Sequence, residues 1–194
     1  MCTSHRSTGM SLIEVVVFIV VLAIGIAATL AIFNRVTSAS VDPIVRKQAL
    51  VIASSLLEEI EQRGFTFCDP DDANVYTAIS ITDCTTQETI GPEPGETRYA
   101  DPRYDNVNDY NNFEMGSGTT SPGIKEVDSN GTTSITGLDD FAVRVTVATI
   151  SNGELPGIAD TTDALRITVT AAHVPTGTTV SLQGYRLRYA PNSP

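Results

Sequence analysis

Ser4-His5-Arg6-Ser7-Thr8-Gly9-Met10-Ser11-Leu12-Ile13-Glu14 runs directly into residues 15–33, Val-Val-Val-Phe-Ile-Val-Val-Leu-Ala-Ile-Gly-Ile-Ala-Ala-Thr-Leu-Ala-Ile-Phe. These 19 apolar or near-apolar residues make a helix of about 28 Å, enough to cross the hydrocarbon of a bilayer. One residue separates the stretch from a plain anchor. Glu14 lies inside the apolar run, with Met10, Leu12 and Ile13 before it and Val15 after it. A carboxylate within hydrocarbon costs on the order of 2.5–3.5 kcal/mol, so it takes a partner or reaches back to the headgroups from the helix end.

Moving outward, Asn34 and Arg35 close the apolar run, and Asp42-Pro43 reads as a helix start with Asp as N-cap and Pro at the first helical position. Residues 44–63 are amphipathic. Val45, Ala49, Ile52, Leu56 and Ile60 share one stripe, while Arg46, Lys47, Ser54, Ser55, Glu58 and Glu61 lie mostly off it, and Gly64 stops the pattern. The N-terminal third is therefore one long helix kinked near Pro43 or two helices in line. Its second half carries an apolar stripe that something must cover.

The last third alternates with a period of two. Phe141, Val143, Val145 and Val147 form one face of residues 141–150, and Leu165, Ile167, Val169 and Ala171 one face of residues 165–172. A third strand over 180–189 loses phase between Leu182 and Tyr185, which predicts a bulge at Gly184. Three such strands make an antiparallel meander with one buried face, and the helix stripe is what it lacks. The expectation is an α+β fold, a long N-terminal helix laid on a C-terminal antiparallel β-sheet.

Between these regions, residues 65–102 are irregular, with a short strand candidate at 76–82 and a charged turn at Asp69, Asp71 and Asp72. Residues 103–115 hold Asp105, Asn108 and Asp109, which could supply oxygens to calcium. Their spacing matches no calcium loop, and the competing reading is a turn or short helix clipped down by Tyr104, Tyr110 and Phe113. Residues 116–137 form a Gly-, Ser- and Thr-rich loop with a hairpin turn at Asn130-Gly131, a site that also fits a glycosylation sequon.

Acidic side chains outnumber basic ones by 23 to 12, a net charge of −11. That balance argues against nucleic acid as a partner, since phosphate backbones need clustered Lys and Arg. Cys2 has no hydrophobic region before it in this sequence, so it is not expected to serve as a lipoprotein cysteine. Cys68 and Cys84 are an even pair without a nearby second Cys or His ligand, which favours a disulfide over a metal site and places the domain in an oxidising compartment. An ordinary secretory signal cut near Gly25-Ile26-Ala27 fits less well, because the leader is barely basic and Glu14 breaks the hydrophobic region.

The junction at Gly9 resembles the class III signal of type IV prepilins and pseudopilins. In that family a glycine precedes the scissile bond, an apolar residue becomes the new N-terminus, and a glutamate stands fifth. Gly9, Met10 and Glu14 occupy those places here, with Met10 where the family most often has phenylalanine. The resemblance covers residues 4–64. Residues 105–110 further resemble the Asp-(Asp/Asn)-Val-(Asp/Asn)-Asp-Tyr stretch of minor pilins of mannose-sensitive haemagglutinin (MSHA) pili, the D-type subunits in particular.

The resemblance implies a pilin-like fold and a life history. Residues 1–9 would be a leader, 10–33 a transmembrane and later filament-core helix, 34–64 its amphipathic continuation, and 65–194 an exported β-rich domain. Prepilin peptidase would cut between Gly9 and Met10 and methylate the new amine. The precursor would cross the bacterial inner membrane once, with its domain in the periplasm. An inner-membrane assembly platform would then extract it from the lipid bilayer and pack it against other pilin subunits at the cell surface. Pseudopilins of type II secretion or DNA uptake share these features. A single-span protein with a ligand-binding domain is the reading from a different class. A lone strand histidine, His173, and the absence of any nucleophile elbow or phosphate loop point away from an enzyme, and no cofactor or metal site is expected beyond the calcium candidates.

Overall fold

The computed structural model describes residues 11–119, 123–127 and 131–194, and for residues 33–42 the backbone alone. Two compact units divide the chain, Met1–Ile44 and Val45–Pro194. Gly9 and Met10, at the expected processing junction, lie outside the described residues, as does Asn130 of the expected hairpin turn.

A single helix, α1 (Leu12–Glu61), occupies the N-terminal third. It runs through Asp42 and Pro43, so Asp42 does not serve as the N-cap expected of it. Proline removes one backbone hydrogen bond, a local loss that long helical segments on both sides can carry. Within the first unit, every described side chain from Leu12 to Ile32 is exposed.

In the second unit the amphipathic stripe is buried as its spacing requires: Val45, Ala49, Ile52, Ala53, Leu56 and Ile60 all enter the main core. Four antiparallel strands complete that core, β1 (Glu114–Gly116), β2 (Phe141–Thr149), β3 (Ala164–His173) and β4 (Thr178–Leu187), in the spatial order β1-β2-β3-β4. Phe141, Val143, Val145 and Val147 from β2 face inward with Leu165, Ile167, Val169 and Ala171 from β3. The α+β architecture, with an apolar N-terminal helix and an antiparallel C-terminal sheet, is the one anticipated.

Three local expectations are corrected. β4 has no bulge: Ile167 pairs with Gly184 and Val169 with Leu182 in unbroken register. Gly184 stands in phase with Val180 and Leu182, and a β-carbon there would strike the Glu61 carboxylate and come within 3.1 Å of Leu57 Cδ1. The apparent slip is thus an inward position kept empty so that α1 can approach the sheet. The 76–82 strand candidate is instead a run of turns ending in a 3-10 helix at Ile81–Asp83. Local side-chain bonds win there: Asp72 Oδ1 accepts from Asn74 N, and Asp83 Oδ2 accepts from Ile79 N and Ser80 N. Finally, β1 lies where a turn or short helix running into a loop was expected. Its Gly116 has φ of 105°, and a β-carbon there would come within 2.7 Å of Ala142 Cα, so this edge contact requires glycine.

One ion pair fastens the turn segments to α1. Arg98 donates from Nε to Glu59 Oε1 at 2.8 Å and from Nη2 to Oε2 at 2.6 Å, and Tyr110 Oη donates to Oε1 at 2.8 Å. The Arg98 guanidinium also lies 5.3 Å from the Tyr99 ring centre and 5.7 Å from that of Phe113. Tyr104, Tyr110 and Phe113 meet edge to face, so the expected aromatic clip is present.

Burial pushes the Glu59 pKa up, but the hydrogen bonds and charge of Arg98, helped by Tyr110, outweigh it and hold the carboxyl below its ordinary value of 4.5. A depressed folded-state pKa contributes stability above the unfolded pKa that is lost as pH falls through the folded value. Arg98→Met strands Glu59 without its charge partner and is expected to destabilise the domain by about 3–5 kcal/mol at neutral pH. The difference between wild type and variant should shrink below about pH 4.5, where Glu59 protonates. Equilibrium unfolding of the two proteins across pH checks this. Equal stability at pH 7 would contradict the role given to the pair.

Candidate functional site

Two features carry chemistry, one in each unit. The first is the apolar segment of α1. Leu12–Ile32 is long and apolar enough to cross a membrane, and none of it is buried within the protein. Leu12, Phe18, Ile24 and Ile32 are all more than 60 % exposed. Residues of this kind are stable in lipid or against other helices, not in water. The one hydroxyl in the segment is satisfied locally, since Thr29 Oγ1 donates to Gly25 O at 2.8 Å. Glu14 sits exposed in the first turn, where the helix dipole favours a negative charge.

The second feature is a carboxylate cluster built by three turn segments. Gly64 and Asn106 form a parallel bridge, and Asn106 Nδ2 donates at 2.7 Å to the buried Thr66 hydroxyl, which in turn donates to Cys68 O at 2.6 Å. The Cys68–Cys84 disulfide closes the next loop, as expected from the sequence. Cys68 also bridges Gln87, Glu88 N donates to Phe67 O, and Gly91 N donates to Asn108 O. These contacts bring Glu88, Glu93 and Glu96 from the 88–96 loop towards Asp69 and towards the 105–109 turn.

The calcium candidates named from the sequence divide within this frame. Asp109 is fully buried, and its Oδ2 accepts from Asp105 N at 3.0 Å and Asn106 N at 2.7 Å, which is the turn role. Its other oxygen, Oδ1, is buried without a partner, and Asn108 Oδ1 is likewise unpartnered. A carboxylate oxygen of Asp109 lies within 4.8 Å of one from Glu88 and one from Glu93. Asp105 instead groups with Asp69 and Asp71. Glu88 has both carboxylate oxygens buried and unpartnered.

Crowding of like charges out of water pushes these groups upward. Burial, then the charges of Asp109 and Glu93, raise Glu88 to about 10. Burial raises Asp109 to about 8 against the pull of its backbone amide donors, with Glu96 and Glu93 adding to the rise. Burial and then Glu93 bring Glu96 to about 7, while burial and then Glu96 bring Asp105 to about 6.

Sequence reasoning missed Glu88, Glu93 and Glu96. The available signal was an acidic residue at each of three places in a loop whose turns are marked by Pro92, Pro94 and Gly95. The Asp69-Asp71-Asp72 turn is divided too, with Asp72 turned inward to accept from Thr86 N and Asn74 N. His173 ends β3, its ring centre 4.9 Å from that of Phe141 and its Nδ1 2.8 Å from the Thr176 hydroxyl.

No protein-family model, curated protein or solved structure matches this chain. The fold and the first site together define an α+β protein with an exposed N-terminal helix of membrane-spanning length and a disulfide-closed loop.

The disulfide closes a loop whose ends are 16 residues apart and beside which the carboxylate cluster is built. Cys68→Ser is expected to destabilise the second unit by about 2–4 kcal/mol. Chemical denaturation checks the loss, and alkylation without prior reduction should label neither Cys68 nor Cys84. Two reactive thiols in these positions would contradict it.

Proposed function

We propose that this chain is a structural subunit of a type IV filament, a minor pilin of the MSHA-like kind, cut after Gly9 and assembled through its N-terminal helix. The observation that carries the reading is Glu14 in the first turn of an otherwise apolar, wholly exposed segment, Leu12–Ile32. A plain anchor does not need a carboxylate there. A helix that must leave lipid and dock at one height among similar helices does.

The physical argument has two stages. Before assembly the segment sits in the inner membrane, with Glu14 near the headgroups and the second unit in the periplasm. After cleavage, the amine of Met10 lies one turn before Glu14, and the two can neutralise each other within one chain. In a filament core the low dielectric raises both the strength of an ion pair and the cost of an unpaired charge. The Glu14 carboxylate then pairs with the Met10 amine of a neighbouring subunit and sets the axial register of the incoming helix. Gly25, Ala27 and Ala28 let helices approach closely. Prepilin peptidase, the assembly platform and other pilin subunits are the partners this requires. A pseudopilin of a secretion or DNA-uptake system would use the same two stages with a different set of neighbours.

Glu14→Leu makes the segment more apolar, so membrane insertion and cleavage after Gly9 should persist. Incorporation into filaments should fall about 10-fold or more, the scale of one displaced buried charge pair. The ratio of subunit in sheared filaments to subunit in membranes measures this for both proteins. Equal ratios would refute the register role.

A further inference from the structure

We propose that Glu88, Glu93 and Asp109 form a binding site for one calcium ion in the second unit. The site stands on its own geometry and does not rest on the filament reading.

Three independent features point to a cation. First, one oxygen from each of these three carboxylates lies within 4.8 Å of the others. Ligand oxygens at 2.3–2.6 Å from a common ion are separated by at most about 5 Å, so the trio fits around one centre. Second, the oxygens are sequestered with nothing to bond. Both oxygens of Glu88 and Oδ1 of Asp109 are buried and have no hydrogen-bond donor. The other oxygen of Asp109 is already fixed by the amides of Asp105 and Asn106, which orients the free one. Asn108 precedes Asp109, lines the same cleft as Glu88, and carries another buried, unpartnered oxygen. Third, among the described residues no basic side chain forms an ion pair with these carboxylates. Arg98 pairs with Glu59, Arg144 with Glu114 and Arg166 with Glu154, while Arg188, which lines the same cleft as Glu88, pairs with Asp163. Buried carboxylates left unpaired are costly, and a metal is one of the few ways to offset them.

The donor set selects the ion. Among the described residues every available donor is oxygen: Cys68 and Cys84 are joined to each other, and His173 ends β3, bonded to Thr176. That excludes the usual zinc and copper preferences and leaves the hard cations. Glu88 and Glu93 come from one loop and Asp109 from a separate turn, and Glu88 can offer both oxygens. Calcium accepts such irregular, carboxylate-rich coordination with 6–8 oxygens, whereas magnesium demands a small octahedron and keeps its waters. The surrounding carboxylates Asp69, Glu96 and Asp105 add a negative field that favours a dication over a monovalent ion. Bound there, the ion would tie the 88–96 loop to the 105–109 turn, which Tyr110 and Glu59 fasten to α1.

The test uses the full chain in detergent micelles, stripped with EDTA and dialysed. Titration calorimetry with calcium chloride should give one saturable site with a dissociation constant of about 1 mM or tighter, and calcium should raise the thermal unfolding midpoint. Magnesium chloride at the same concentrations should bind more weakly. Glu93 is partly exposed, so Glu93→Gln should fold normally, keep or raise the metal-free midpoint, and weaken calcium binding about 10-fold or more. Glu88→Gln should lose calcium binding in the same way. Absence of saturable binding and of any calcium-induced shift in the wild type would overturn the site. So would wild-type affinity in both variants, or equal affinity for magnesium.

Discussion

A helix that offers Val45, Ala49, Ile52, Leu56 and Ile60 along one side cannot stand stably in water, and the inner face of the antiparallel sheet has the same difficulty. Each covers the other. That mutual burial fixes which residues of β2 and β3 point inward, why β4 carries glycine at position 184, and where Glu59 emerges to receive Arg98 and Tyr110. Once the ion pair is set, the irregular segments have fixed points to hang from. The disulfide and the bridges at Gly64, Cys68 and Thr97 then order chain that has little apolar content of its own.

The parts of this fold legible in the sequence are those governed by period. A stripe advancing by three and four residues, and alternation over β2 and β3, each encode a buried face directly. Where the signal is a single residue, two physical causes compete. Gly184 was expected as a bulge but serves as clearance for Leu57 and Glu61. Asp42-Pro43 carries the chemistry of a helix start yet lies inside α1, because neighbouring helical turns outweigh one missing amide. The 76–82 segment has strand-forming residues, but the carboxylates of Asp72 and Asp83 capture the amides of Asn74, Ile79 and Ser80 first. β1 was hidden because three residues are too few to show alternation.

The carboxylate cluster was half legible for a related reason. Asp105, Asn108 and Asp109 stand close together in sequence, so they drew attention as oxygen donors. Glu88 and Glu93 come from a separate loop, and the bridges between Cys68 and Gln87 and between Gly64 and Asn106, with the bond from Gly91 N to Asn108 O, bring the two groups together. Composition registers such residues as surface charge. Folding turns Glu88 inward, beside Asp109 and without an ion-pair partner, and burial then raises its pKa to about 10.

Glu14 poses the opposite problem, a charge made conspicuous by sequence alone and left exposed in the first turn of α1. Its meaning depends on what the N-terminus becomes. A filament subunit needs a free amine one turn before the carboxylate, and an anchored domain does not. Intact-mass measurement with N-terminal sequencing, on protein recovered from membranes of cells that hold a prepilin peptidase, decides between them. The account predicts a chain that begins at Met10 with a methylated amine and has lost residues 1–9. A chain that retains Met1, or one that begins beyond Ala27, would contradict it.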